Sequence, residues 1–177
     1  KEDQFRYHPK YNNEGGVFFE RIVWGIDEIT ANTKLLIVVE GPLDKTNADK
    51  ELQTNLSEEI RVICTFGKKI SDIQMMKIKE KFDKTMTSID KQLFLMYDPE
   101  AIEDSKGYAI KLDEEFDHRV RVARPPEGRD PGDMTSLQFE ATLSSTYSPL
   151  QFYTSFVGSE LKRKKRSFRK QNNTYVK

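Results

Sequence analysis

Acidic side chains gather at three places where the chain leaves an apolar run. Glu40 follows Leu35-Leu36-Ile37-Val38-Val39, with Asp44 four residues on. Asp98 and Glu100 follow Gln92 to Tyr97 (QLFLMY), and Asp130 and Asp133 follow Arg119 to Ala123 (RVRVA). Crowded carboxylates repel and raise one another's pKa values. One or two hard divalent ions relieve that repulsion and also hold phosphate oxygens. A single carboxylate at such a place is more often a helix cap or turn residue. Six at three strand ends point to a site for a hard divalent ion, Mg²⁺, Mn²⁺ or Ca²⁺. One cysteine, Cys64, and two histidines, His8 and His118, leave no internal disulfide and no cysteine-built zinc site.

The apolar runs are the elements that must position these acids. Leu35–Val39 reads as a strand buried on both faces, Ile60–Phe66 (IRVICTF) as a second, Gln92–Tyr97 as a third and Arg119–Ala123 as a fourth. Residues 71–89 carry Ile73, Met76, Ile78, Phe82 and Met86 near helical spacing, and Ser105–Phe116 carries Tyr108, Ile110 and Leu112. Strands alternating with helices imply right-handed parallel crossovers, hence an α/β fold with a four-stranded parallel sheet flanked by helices. Ligands of such sheets bind beyond the carboxyl ends of the strands, where all three acidic clusters fall. Gly41 and Gly67 suit tight turns there, Cys64 suits a small core position, and Phe18, Phe19 and Trp24 suit anchors for the polar lead-in. A short helix is expected after Met134; the Ser/Thr/Tyr/Pro stretch up to about Gly158 carries no recognisable chemistry.

At 177 residues and 20.7 kDa the chain suits one domain with flanking pieces. With 36% hydrophobic residues, a mean hydropathy of −0.72 and 33% charged residues, it has a modest core and a very polar exterior. It holds no apolar run of about 18 residues, which excludes a membrane-spanning helix, and KEDQFRYHPK at its start is not a signal peptide. Twenty-nine basic and 29 acidic residues give no net charge, yet Leu161–Lys177 holds eight Lys and Arg and no acid. The body is therefore acidic and the tail basic. Lys162, Arg163, Lys164, Lys165, Arg166 and Arg169, with Phe168 among them, suit phosphates and a stacked base of single-stranded nucleic acid. A terminus or linker of the same composition is the plainer reading.

The motifs resemble a known family. VVEGPLD (Val38–Asp44) followed by a strand ending in DPE (Asp98–Glu100) looks like the Toprim domain of primases, topoisomerases and some nucleases. The likeness to bacterial and phage DnaG-type DNA primases is longer. PKYNNEGGVFFERIVWGIDEI (Pro9–Ile29) is similar to the primase stretch with Pro-Lys-Tyr, Asn and a Tyr-Gly pair, here Trp24-Gly25. TFGKKIS (Thr65–Ser71) resembles the glycine turn after the second strand, and RPPEGRDPGD (Arg124–Asp133) the Pro-x-Gly-x-Asp-Pro element. The resemblance covers Pro9 to Asp133, about two-thirds of the chain.

That resemblance implies a primase-like core making RNA primers on single-stranded DNA from nucleoside triphosphates with Mg²⁺ or Mn²⁺. Glu40, Asp98 and Glu100 would be catalytic, and Glu40, Asp44, Asp98, Glu100 and Asp130 would hold the metal. Glu100 stands where the family has Asp, and Gly132-Asp133 departs from the usual Asp-Pro-Asp. Lys10 and Asn13 match nucleotide-binding positions, and Lys68 would join them on triphosphate oxygens. The implied layout is a lead-in over 1–33, a Toprim domain over 34–135, a packing segment over 136–158 and a basic tail over 159–177. The resemblance further implies the cytoplasm of a bacterial or phage-infected cell and a replicative helicase as partner. Without a zinc-binding domain or a GxxxxGK[ST] loop, the chain reads as part of a longer primase or primase-helicase, or as a reduced relative. Two alternatives remain: a Toprim nuclease that hydrolyses phosphodiesters, and a non-catalytic DNA-binding replisome module.

Overall fold

The structure is a computed structural model that describes residues 18–54, 58–85, 90–98 and 106–155. Strands β1 (Leu35–Val39), β2 (Ile60–Cys64), β3 (Gln92–Leu95) and β4 (Val120–Val122) form one sheet in the order β2-β1-β3-β4. Every neighbouring pair is parallel, with Val38 opposite Ile63 on one side and Leu95 on the other. The continuous apolar runs explain the arrangement, because the sheet is covered on both faces. Leu36, Ile37, Val38 and Val39 are wholly buried.

Among the described residues four helices connect or follow the strands: α1 (Pro42–Glu51), α2 (Asp72–Thr85), α3 (Lys106–Glu115) and α4 (Ser136–Ser144). Residues 149–155 form a fifth helical stretch. Side chains alternate across the strands. Leu36 and Val38 therefore join Ile78 and Phe82 of α2, Leu112 of α3, Phe116 and Phe152 in one core. Ile37 and Val39 face Ala48 of α1, Met134 and Phe139 of α4 in the other.

Several expectations are corrected. Helix α1 is not announced by its sequence: Leu43 is exposed, and Ala48 is its buried apolar side chain. The stripe expected on α2 is displaced, since Met76 is 68% exposed and Ile73 lies at the surface. Met86 lies outside the described residues. Gln74, Ile78 and Phe82 are the buried set, one helical turn apart. Gln74 is tolerated inside because its Nε2 donates to the carbonyls of Phe19 (3.0 Å), Ile22 (2.8 Å) and Thr65 (2.7 Å). Phe19 packs on Phe66 as an anchor, whereas Phe18 and Trp24 stay substantially exposed.

Trp24 instead pairs its backbone with Cys64, N–H to carbonyl in both directions at 3.0 Å, on the outer edge of β2. Tyr147 does the same to Val122 on the outer edge of β4, at 2.8 and 2.9 Å. The stretch after residue 144 thus closes one sheet edge and supplies buried Phe152.

Candidate active site

Chain direction reverses at one point in the sheet. β1 leads through α1 to β2 on one side, and β3 leads through α3 to β4 on the other. The gap between the carboxyl ends of β1 and β3 is the topological switch point, where open α/β sheets bind ligands. Glu40 is the first residue beyond β1, and Asp98 stands three beyond β3. The parallel register continues past the strands, with Met96 N–H donating to the Val38 carbonyl at 2.9 Å. Both acids are partly buried, and Glu40 Oε2 and Asp98 Oδ1 are shielded from water.

Around Glu40 the backbone carbonyls at the sheet edge are bonded. Thr65 N–H donates to the Val39 carbonyl at 3.2 Å, and Cys64 Sγ donates to the Glu40 carbonyl at 3.4 Å. Burial pushes the Cys64 thiol up to about 11, and the charges of Asp44 and Glu40 add to the shift. Burial also holds the Tyr97 phenol well above its ordinary range, helped by the Glu40 charge. Glu40, Asp44, Cys64 and Tyr97 therefore share one electrostatic neighbourhood.

Asp44 is placed by the start of α1. Gly41 is the N-cap, Pro42 supplies a preset φ at the first helical position, and Asp44 Oδ2 accepts the Gly41 N–H at 2.8 Å. The helix N-terminus favours that negative charge. Its other oxygen, Oδ1, meets the 3-10 turn Pro131–Asp133. A Cβ on Gly132 would lie 3.0 Å from Asp44 Oδ1 and 3.1 Å from Asp130 Oδ1, so the two carboxylates flank the same α-carbon. Any larger residue there would push them apart. Asp133 points elsewhere, with Arg129 Nη1 donating to its Oδ2 at 3.0 Å on the surface. A Cβ on Gly67 would meet nothing within 4 Å; the positive φ of that turn belongs to Phe66 instead.

Beside Asp44 lies a residue that sequence reasoning missed. Lys45 is 1% exposed, with Nζ 3.2 Å from Glu28 Oε2, 2.5 Å from Asp49 Oδ2 and 5.3 Å from the centre of the Trp24 ring. Gly25, at φ +88°, passes so close that a Cβ would lie 2.6 Å from Lys45 Cε. The Trp24-Gly25 pair was the available signal, because a glycine at positive φ often marks a close approach.

The structure thus gathers Glu40 and Asp98 at the switch point and Asp44 with Asp130 around Gly132. Lys68 is exposed beyond the end of β2. Lys10, Asn13, Glu100 and the basic residues from Lys162 to Arg169 lie outside the described residues. The donors present are hard oxygens with shielded atoms, which suits Mg²⁺ or Mn²⁺ in kind. Among the described residues no three His, Cys, Asp or Glu side chains are grouped to hold an ion. Two surface hollows, one bordered by Asp49 and Arg61 and one by Lys77 and Lys81, are lined by none of these acids. None of the helices described is long and apolar enough to cross a membrane.

No family model matches this chain, and no curated protein does. Among solved structures, the RNA polymerase domain of primase DnaG from Mycobacterium tuberculosis is similar. The TM-score is 0.60 at 16% identity, over 77% of this chain and 45% of that one. The same domain in complex with a double-stranded DNA oligomer bearing a 6-nucleotide overhang gives a TM-score of 0.62 at 17% identity, over 85% and 48%. This chain spans less than half the length of that domain. At such identity the likeness is one of architecture, and it leads to one conclusion: this chain has a primase-like α/β fold.

Proposed function

We propose that this chain is the Toprim-containing catalytic part of a primase-like nucleotidyltransferase, which makes RNA primers on single-stranded DNA from nucleoside triphosphates. The observation that carries this reading is the position of Glu40 and Asp98 on either side of the switch point in a fold like that of a primase RNA polymerase domain. Phosphoryl transfer asks a protein for positioning and charge stabilisation more than for covalent chemistry.

Glu40, Asp44, Asp98, Glu100 and Asp130 would hold Mg²⁺ or Mn²⁺, which when bound supplies Lewis-acid stabilisation of phosphoryl oxygens. Glu40, Asp98 and Glu100 would act at the reacting end, with Glu40 as metal ligand or as general acid/base on the attacking or leaving 3′ oxygen. The shielding of Glu40 Oε2 from water strengthens the electrostatic interactions of that carboxylate. Lys10, Asn13 and Lys68 bind the triphosphate. The basic run from Lys162 to Arg169 follows the template backbone, and the DNA complex of the structural neighbour supports nucleic acid as the partner. A replicative helicase would work beside such a part.

The test is to incubate the chain with single-stranded DNA, labelled nucleoside triphosphates and Mg²⁺ or Mn²⁺, beside Glu40→Gln. Metal-dependent oligoribonucleotides, reduced at least about 100-fold in the variant (about 2.7 kcal/mol of barrier), are expected. Shortened DNA would replace this reading with a nuclease. No product and no metal binding would leave a DNA-binding module.

A further inference from the structure

We infer that Asn47 is a positioning residue that sets the spacing of the Asp44 and Asp130 carboxylates for a divalent ion. The inference rests on the reading of those acids as ion ligands. Asn47 projects from the middle of α1 towards the 3-10 turn that carries Asp130. Its Nδ2 donates to two backbone carbonyls of that segment, Pro131 at 2.9 Å and Met134 at 2.8 Å. The orientation of the amide is fixed by chemistry, because two carbonyls can be met only by the donor end of a carboxamide. These bonds join segments 84 and 87 residues apart in sequence.

The geometry around the clamp gives it consequence. Asp44 lies one helical turn before Asn47, on the same side of α1. Its Oδ2 is committed to the Gly41 N–H, so Oδ1 is the atom turned to the clamped segment. The segment presents Gly132 at that point, and Asp130 Oδ1 approaches the same space that the missing Cβ of Gly132 leaves open. Pro131 is buried, with its neighbour Asp130 exposed. Asp130 is thus a solvent-facing carboxylate whose distance from Asp44 depends on how the turn is fastened. Asn47 supplies that fastening, and Gly132 supplies the room. An asparagine inside a helix costs stability relative to alanine, so its place here is one where the side chain does the fastening and not the helix-forming.

The test compares Mn²⁺ binding, read from the free-ion electron paramagnetic resonance signal, in the full chain and in Asn47→Ala, Asn47→Leu and Gly132→Ala. Urea midpoints are measured on the same samples. Asn47→Ala should fold, because it improves helix propensity, and should bind Mn²⁺ about 10-fold more weakly, in line with the loss of a residue that orients ligands. Gly132→Ala should weaken binding by a similar factor. Ile78→Val, on the other face of the sheet, lowers the urea midpoint and should leave Mn²⁺ affinity unchanged. An Asn47→Ala or Asn47→Leu protein that is folded and binds Mn²⁺ as tightly as the wild type would reduce Asn47 to a structural link and overturn the inference. Wild-type chain that binds no Mn²⁺ would overturn it together with the metal reading. Mn²⁺ binding that depends on Asn47 without any primer synthesis would uphold it while the primase reading fails.

Discussion

Lys45 is buried with two carboxylates and an aromatic face around its ammonium group. Removing one partner of a buried pair typically costs about 3–5 kcal/mol, but Glu28 and Asp49 keep part of their water, so Lys45→Ala should cost about 2 kcal/mol in urea unfolding. Emission from Trp24 should shift in the same variant, since the indole loses the cation beside it. Cys64 makes a second residue-level prediction. Its thiol titrates near about 11 in the folded chain against an ordinary 9.0, so the folded state holds the proton more tightly. The stabilisation that comes from the buried neutral thiol is complete below about pH 9 and is lost as pH rises towards about 11. Urea midpoints of the wild type should fall across that window more steeply than those of Cys64→Ala. Glu40 and Asp98 were legible because each follows an apolar run. Lys45 was not, because a buried lysine and a surface lysine are written alike until their neighbours are known.

Helix α1 shows how an element can form with little apolar patterning. Gly41, Pro42 and the Asp44 carboxylate start it, and its far end is tied down by Glu51, whose Oε2 accepts the Ser136 N–H at 2.9 Å and the Ser136 hydroxyl at 3.1 Å. That contact also caps the first turn of α4. Lys50 and then Ser136 hold the Glu51 carboxyl below its usual range. A depressed folded value means stability that is present above the ordinary carboxylate range and lost as pH falls through it. Between about pH 6 and about pH 3, wild-type protein should therefore lose more stability than Glu51→Gln, measured by denaturant unfolding at each pH; equal slopes would contradict the contact. Periodicity found α2 but put Met76 on the wrong side. A hydrophobicity pattern scores methionine as core and glutamine as surface, whereas Gln74 is buried because three carbonyls need its amide.

The described residues form one sheet between two cores, and β1 contributes alternate side chains to both. Phe82→Ala on one face and Phe139→Ala on the other should each cost about 3–5 kcal/mol. Unfolding should stay a single transition by Trp24 emission and by far-ultraviolet circular dichroism. Separate transitions would show that the two layers are independent. Sequence alone determined the parts: four apolar runs too short for anything but strands, crossovers long enough for parallel pairing, and acids directly beyond the strands. Those are local features, written in the identity and spacing of neighbouring residues. Strand order was decided only in three dimensions, where burying both faces of β1 placed it between β2 and β3 and put the switch point between Glu40 and Asp98. The meeting of Asp44 with Asp130 was decided there too. It depends on a glycine's missing Cβ and one amide reaching two distant carbonyls, and contacts between residues so far apart in the chain leave no trace in local spacing.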